Sequence, residues 1–437
     1  MAYDIIVGRN ESDKKRLGKK GLIQIGKSYV KMGQYTSLSN KIFLDVARTH
    51  VILVAGKRGS GKSYTLGVLA EQLSDLPKEV SQNIASIIFD TMGIYWTMKY
   101  QNEKDRELLQ EWELTPKTLP VRIFIPYGYF DSYEKNGIPV DKKFALDVSE
   151  MNAEDWILTF GLDLINPVGV LIETSIAKLK ETGKTFYIEE IISEIEINER
   201  ASNDTKNSAI ALFQATDSWG LFAKEGIVPT SVNELISAGK TTVLDLSVYS
   251  SIGAFNVRAL VISIVSRKLF EQRMAERKRE EIKSISKRFE LSGDVEKKEM
   301  PLIWMFIDEA HEFLPLDKKT IATDSLIQLL REGRQPGISM ILATQQPGKI
   351  HRDVMTQSDI VISHRVTSEQ DLTALNQIMQ SYLFESINQY MNDLPTSKGS
   401  AILLDDNSER IYPIKMRPRF TWHGGESPMA IKKNKKI

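Results

Sequence analysis

The segment from Gly56 to Ser63 reads GKRGSGKS, and its residue types and spacing suit the binding of a nucleoside triphosphate. Its glycines let successive backbone N–H groups approach anionic oxygens without a clash from a Cβ atom. Lys62 can reach the β- and γ-phosphates, and the Ser63 hydroxyl can ligate magnesium. A strand-like run precedes the segment and a helical pattern follows it, so a helix N-terminus points at the phosphates. We therefore predict an ATP and Mg²⁺ site formed by Gly56, Lys57, Arg58, Gly59, Ser60, Gly61, Lys62, Ser63 and Tyr64.

An acidic pair ends a second apolar run, in which IWMFID closes on Asp308 and Glu309 follows. A carboxylate at the end of a buried strand beside the glycine-rich loop can hold the magnesium shell. The next carboxylate can polarise the attacking water as a general base. We predict that Asp308, together with Ser63, serves the metal and that Glu309 serves the water.

A third apolar run, ISMILATQQ, ends in polar amides. Gln345 is a candidate sensor, because an amide there can hydrogen-bond a γ-phosphate or its water; the alternative is an ordinary turn residue at a strand end. The preceding segment, LLREGRQPG, holds Arg331 and Arg334. Either can project across a subunit boundary as an arginine finger, or lie at the surface, and we favour Arg334 as the finger.

Asp90 ends another apolar run, ASIIFD, and two interpretations stay open for it. Its carboxylate can support the water or the magnesium shell, or it can be a simple turn residue. His311 and Trp96 are expected to be packing residues.

The elements that must position these residues alternate between strands and helices. Continuous β-branched runs are typical of strands covered on both faces, and the helical patterns between them indicate crossovers. We therefore predict an α/β fold with a mainly parallel sheet and helices on both faces. The predicted strands cover residues 50–55, 85–90, 122–126, 241–246, 302–308, 338–344 and 359–363.

Two kinds of segment interrupt this alternation. Short apolar runs separated by glycines predict a short, reduced barrel-like β element at the N-terminus, and apolar residues at helical spacing predict a helical insertion. The expected organisation is a β element (1–47), a first part of the ATPase core (48–150), the helical insertion (151–230), a second part of the core with a C-terminal hairpin (231–419) and a basic tail (420–437).

The composition limits the classes of function. Lys plus Arg and Asp plus Glu both number 57, so contact with a polyanion must come from local patches. The sequence has no cysteine, which excludes disulfides, thiolate zinc sites and a cysteine nucleophile. We see no signal-peptide pattern and no run of about 18 apolar residues, so we expect a cytoplasmic protein without a membrane span.

Together, these motifs resemble the HerA/FtsK superfamily of ring-forming DNA motors, and most closely its HerA-like ATP-binding proteins. The resemblance covers roughly residues 50–419, through GKRGSGKSYT, FDTMGIYW, IDEAHEFLP and REGRQPGISMILATQQP. The resemblance implies a RecA-like core, a homo-hexamer with ATP at the subunit interfaces, and translocation of duplex DNA. It also implies that Asp308 is the acidic residue for magnesium, Glu309 the catalytic glutamate and Gln345 the sensor. Two features differ. Only about 45 residues precede the P-loop strand, where the family usually has a fuller β-barrel, and Gln346 stands where a basic residue often follows the sensor.

Three functions are compatible with these patterns. The first is an ATPase motor that translocates or unwinds duplex DNA, with a partner nuclease or another effector protein. The second is a nucleotide-gated scaffold in which turnover is incidental. The third is a motor acting on protein substrates, as in type IV secretion. Stimulation of ATP hydrolysis by DNA separates the first function from the other two.

Overall fold

The computed structural model describes residues 3–32, 35–163, 165–250, 255–287, 299–379 and 387–425. Within these ranges, thirteen strands form one sheet. The strands are β1 (Ile5–Val7), β2 (Leu22–Met32), β3 (Tyr35–Asp45), β4 (Val51–Ala55), β5 (Ile84–Asp90), β6 (Val121–Pro126), β7 (Lys142–Phe144), β8 (Thr241–Asp245), β9 (Leu302–Ile307), β10 (Ile338–Thr344), β11 (Ile360–His364), β12 (Ser400–Asp405) and β13 (Arg410–Met416). Their order across the sheet is β1-β3-β2-β13-β12-β11-β4-β10-β9-β5-β8-β6-β7.

Helices of widely different length connect the strands. They are α1 (Glu11–Leu17), α2 (Lys62–Ser74), α3 (Lys78–Ser81), α4 (Arg106–Glu111), α5 (Phe130–Lys135), α6 (Ala153–Thr159), α7 (Pro167–Glu181), α8 (Ile188–Glu196), α9 (Asn203–Asp217), α10 (Val232–Leu235), α11 (Phe255–Lys287), α12 (Thr323–Glu332), α13 (Arg352–Gln357), α14 (Glu369–Met379) and α15 (Ile387–Asp393). None of them, over the residues described, is long and apolar enough to cross a membrane.

The strands from β11 to β7 run parallel to one another, which confirms the predicted sheet. All seven predicted strands are present, as β4, β5, β6, β8, β9, β10 and β11. Alternate residues of β4 lie in two separate cores: Ile52 and Val54 pack on the face that carries α2, and Leu53 and Ala55 on the opposite face. Burial on both faces explains the continuous apolar runs, because neither side of these strands meets water.

The N-terminal segment belongs to the same sheet. Its strands β2 and β3 form a long hairpin, and β2 pairs antiparallel with β13, which also pairs with β12. The predicted C-terminal hairpin is therefore present as β12 and β13, and it joins residues 3–45 to the parallel strands through β11. A reduced element of this kind buries its apolar face by extending an existing sheet rather than by closing on itself.

Within the predicted insertion, residues 151–230, the structure has the helices α6 to α9, the last of which ends at Asp217. Trp156 is fully buried there and packs against Phe160, Phe213 and Phe222, with ring centroids 5.0 to 5.6 Å apart. Asp155 forms an ion pair with Arg267 of α11 at 2.9 Å. This apolar cluster and the ion pair attach the helices to the core.

The chain stays folded beyond the boundary that we expected at residue 420. Phe420 and Thr421 are buried, and their backbone amides donate hydrogen bonds to the buried carboxylate of Glu71 on α2. The rest of the expected basic tail, residues 426–437, lies outside the described residues.

Candidate nucleotide-binding site

The glycine-rich loop connects the carboxyl end of β4 to the start of α2, as predicted. At Gly56, a Cβ atom would lie 2.5 Å from the Ser60 Oγ atom and 2.7 Å from the His364 Cβ atom, so a larger residue cannot fit. Gly59 has a φ of +74°, and no other atom lies within 4 Å of its Cβ position. One glycine is thus required by close packing, and the other by its left-handed backbone on the open side of the loop.

The loop presents unpaired backbone donors. Among the residues described, the amides of residues 58, 59 and 61–63 have no hydrogen-bond partner. The last of these amides belong to the first turn of α2, where a helix has no acceptor of its own for them. Lys62 starts this helix and is 5% exposed. A row of free N–H groups beside a buried lysine fits the phosphates of a nucleotide.

The charge of Lys62 is balanced by the acidic pair. Burial lowers the pKa of Lys62, while the nearby charges of Glu309 and Asp308 raise it. Its Nζ atom donates to the Lys57 carbonyl oxygen at 3.4 Å, which is a long contact. Among the residues described, the ammonium group therefore has one weak hydrogen bond, to the loop itself.

Ser63 and Asp308 meet across two elements. The Ser63 Oγ atom donates to the Asp308 Oδ2 atom at 2.6 Å, and the Glu309 amide donates to Asp308 Oδ1 at 2.9 Å. No cluster of three or more acidic or histidine side chains able to hold a metal occurs in the part of the chain described. A hydroxyl and one carboxylate suit Mg²⁺, which keeps several waters and takes its remaining ligands from phosphate oxygens. These two residues would hold that ion.

Glu309 adjoins the metal residues and contacts Gln345. Its backbone is left-handed, with a φ of 51°. The Gln345 Nε2 atom donates to one Glu309 oxygen, and the other oxygen lies 3.6 Å from His311 Nδ1. Burial, followed by the charge of Asp308, raises the pKa of Glu309, while the Gln345 hydrogen bond and Lys62 lower it. A raised pKa makes the carboxylate a better proton acceptor near neutral pH.

Our sequence reasoning missed several contacts around these residues. His311, expected to be a packing residue, lies beside Glu309, and its Nδ1 atom is 3.2 Å from the Thr344 hydroxyl. Tyr95 approaches Asp308 from the turn after β5. His364 lies behind the loop, where its ring bridges the Thr65 hydroxyl and the Ser400 carbonyl oxygen. Histidines and tyrosines at strand ends are common, so the sequence carries no signal for these contacts.

The two candidate arginines differ in their surroundings. The Nε and Nη2 atoms of Arg331 both lie 2.7 Å from the same oxygen, Asp353 Oδ2. Arg334 is exposed, and its side chain has no partner among the residues described. The Arg334 carbonyl oxygen accepts a hydrogen bond from Thr49, just before β4. Arg334 therefore lies at the amino ends of the parallel strands, whereas the glycine-rich loop of its own chain lies at their carboxyl ends.

Asp90 is a turn residue rather than part of the Ser63–Asp308 group. Its buried carboxylate accepts hydrogen bonds from the amides of Met92, Gly93 and Tyr95. Its register partner in β8 is Asp245, which is also buried. Burial, followed by the charge of Asp245, raises the pKa of Asp90 to about 8.

The parallel sheet, the glycine-rich loop and the acidic strand end define a P-loop nucleotide-binding protein with a RecA-like core. Residues 24–269 match the family model described as "Helicase HerA, central domain". The chain belongs to this family of HerA-like P-loop ATPases.

Two curated relatives and one solved structure extend the comparison. The "DNA double-strand break repair helicase HerA" of Pyrococcus furiosus is 27% identical over 35% of this chain and 27% of its own length. The "Probable helicase" of Methanocaldococcus jannaschii is 22% identical over 87% of this chain and 65% of its own length. The chain thus spans less than two thirds of either relative. The structure of VirB4 of Thermoanaerobacter pseudethanolicus is 12% identical, with a TM-score of 0.54 over 91% of this chain and 96% of that chain, a likeness of fold.

Proposed function

We propose that the chain is an ATP-hydrolysing ring motor of the HerA/FtsK type that translocates or unwinds duplex DNA. The observation that carries the ATP-hydrolysing part of this proposal is the 2.6 Å contact between Ser63 of the loop helix and Asp308, with Glu309 directly following. These groups come from elements far apart in sequence, and their contact supports a role in ATP hydrolysis.

Each residue of the site has a separate role in the proposed reaction. Backbone amides of the loop and Lys62 bind the phosphates, and Ser63 and Asp308 would hold the magnesium ion. That ion, when bound, neutralises charge on the phosphate oxygens. Glu309 accepts a proton from the attacking water, and Gln345 orients Glu309 through their hydrogen bond.

The position of Arg334 supports a ring. Strand β4 has five residues and is roughly 16 Å long, at about 3.3 Å per residue. Arg334 lies near the amino end of this strand, and the glycine-rich loop follows its carboxyl end. The guanidinium of Arg334 is therefore too far to reach the phosphates of its own site, and it can act as a finger only on a neighbouring subunit. A closed homo-hexamer is the assembly we propose.

The proposal of duplex DNA as substrate, like that of a partner nuclease or another effector and of a cytoplasmic location, rests on family membership. The described basic residues near the N-terminus add little to it, because Lys14 is paired with Glu11 and Arg16 with Asp13.

The test is an ATPase assay with and without duplex DNA, using Lys62→Ala as the inactive control. We expect hydrolysis that DNA stimulates, and DNA binding that weakens steeply with salt as phosphate counterions are displaced. Mass measurement with ATP and DNA should give a hexamer. Hydrolysis insensitive to DNA would favour a motor for protein substrates, and tight ATP binding without turnover would favour a scaffold.

A further inference from the structure

Tyr95 connects the turn after β5 to the acidic end of β9. Its hydroxyl lies 3.3 Å from the Asp308 Oδ2 atom and 3.4 Å from the Ser63 carbonyl oxygen. The side chain is 0% exposed. A buried tyrosine hydroxyl needs an acceptor for its proton, and both neighbours are acceptors. Tyr95 therefore contacts both residues assigned to magnesium.

The backbone of Tyr95 is held from the opposite side by Asp90. The Tyr95 amide donates to the Asp90 Oδ2 atom at 2.8 Å, and Asp90 Oδ1 accepts from the amides of Met92 and Gly93. Phe89 is the register partner of Ile307, so this turn begins level with Asp308. The Asp90 carboxylate thus fixes the turn that carries the Tyr95 ring to Asp308.

Tyr95 also completes the set of hydrogen bonds to the Asp308 carboxylate. Asp308 Oδ1 is held by the Glu309 amide, whereas Oδ2 is held by the Ser63 and Tyr95 hydroxyls. Without the Tyr95 hydroxyl, only Ser63 would orient Oδ2, and Ser63 is itself the residue whose oxygen must turn toward the metal. When the Ser63 oxygen turns toward the metal, the Tyr95 hydroxyl still contacts Asp308 Oδ2.

We propose that Tyr95 is a positioning residue for the magnesium site, whose hydroxyl holds the Asp308 carboxylate against Ser63 in the geometry that accepts the ion. The inference rests on the proposed function, because it takes Ser63 and Asp308 as the magnesium residues. Groups that orient metal-binding side chains typically contribute about 10- to 100-fold to metal affinity. The contact is long, so we expect an effect of about 10-fold.

The experiment measures Mn²⁺ binding by electron paramagnetic resonance in the presence of a non-hydrolysable ATP analogue. Tyr95→Phe keeps the ring and removes the hydroxyl. We expect its Mn²⁺ affinity to fall by about 10-fold, while its affinity for the nucleotide in excess EDTA stays at the wild-type value. The matched control is Tyr249→Phe, since Tyr249 is 2% exposed and donates to the Trp219 carbonyl oxygen at 2.6 Å.

Each outcome of this experiment supports or overturns the inference. Unchanged Mn²⁺ affinity in a folded Tyr95→Phe protein overturns the inference, as does an equal loss in Tyr249→Phe, which would indicate general loosening. Should Tyr95→Phe not fold, Asp90→Asn provides a second route, because it turns an NH₂ group toward the Tyr95 amide and displaces the turn. A loss of Mn²⁺ affinity there supports the inference, and wild-type affinity contradicts it.

The proposed function has its own control in the same assay. Lys62→Ala should lose the nucleotide with or without metal. If Lys62→Ala binds nucleotide like the wild type, the proposed site itself is wrong, whereas a failure of Tyr95→Phe alone leaves that site in place.

Discussion

The side-chain amide of Gln345 donates a hydrogen bond to a carboxylate oxygen of Glu309, across the ends of the adjacent strands β10 and β9. The sensor and the base of the predicted site are therefore in direct contact. Because this hydrogen bond favours the ionised carboxylate, it lowers the pKa of Glu309 against the opposite effect of burial.

Gln345→Ala should therefore move the pH dependence of hydrolysis. Without its hydrogen bond, the pKa of Glu309 rises further, so the carboxylate is protonated, and unable to accept a proton, up to a higher pH. The acid limb of the kcat/KM profile should shift to higher pH. Gln346→Ala is the control, because among the residues described it is Gln345, and not this neighbouring amide, that donates a hydrogen bond to Glu309. An acid limb that stays in place or shifts to lower pH would contradict this coupling.

Glu309→Gln should separate binding from hydrolysis. The substitution keeps the shape of the side chain but removes the proton acceptor, so ATP affinity should stay near the wild-type value while kcat falls by about 10²- to 10⁴-fold. Isothermal titration and a phosphate-release assay measure the two quantities. Glu312→Gln serves as the control, since Glu312 lies three residues further on and pairs with Arg258 at 3.3 Å. Normal turnover in Glu309→Gln would require a different base.

Arg334→Ala should bind ATP and assemble, yet lose about 10³-fold or more in kcat if the guanidinium acts on the transition-state charge of a neighbour. Arg331→Ala is the internal comparison, because Arg331 is already paired with Asp353. Rings that mix Arg334→Ala with Lys62→Ala subunits should recover some activity, since an intact arginine then faces an intact loop. Complete inactivity of rings shown to be mixed would argue against Arg334 as the finger.

Asp245→Asn should reduce a pH-dependent loss of stability. The pKa of Asp90 is about 8 in the folded chain, well above its usual value of about 4. The folded state thus holds a proton that the unfolded state releases, and the free energy of unfolding falls as pH rises from about 4 to 8. Removing the adjacent charge should make this fall smaller.

Urea unfolding at several pH values measures this effect. Asp245→Asn should gain stability over the wild type at pH 8 and less at pH 4.5, where the carboxyls are closer to neutral. The exposed Asp204→Asn is the control and should not change the slope. A wild-type slope in Asp245→Asn would show that the two carboxyls do not interact.

Glu71→Ala should destabilise the chain by about 3–5 kcal/mol, because it leaves the fully buried Arg417 without its counter-charge. The Glu71 carboxylate also accepts hydrogen bonds from Phe420 and Thr421, so the segment after β13 loses its main attachment to α2. Urea denaturation checks this value. The exposed Glu79→Ala should cost less than about 1 kcal/mol, and a similar cost for Glu71→Ala would contradict the structural role.

Much of the fold and site could be predicted from local pattern. The run before Gly56 is apolar on both faces, which identifies a central strand, and the spacing from Gly56 to Ser63 identifies the loop and the helix start. Asp308 and Glu309 are predicted site residues because they follow a comparable strand. These inferences depend on chain neighbours and on periodicity, which a single sequence displays directly.

Only the tertiary structure decided which of these groups meet. The pairing of β2 with β13, the contact of Tyr95 with Asp308 and the burial of Glu71 against Arg417 join residues hundreds of positions apart or in different connections of the sheet. Strand order and register set these contacts, and both result from packing the whole chain into two cores. Asp90 shows the difference between what the sequence and the tertiary structure decide. Its position at a strand end is evident from the sequence. The direction of its carboxylate is set by three backbone amides, which reach their positions only when the turn folds.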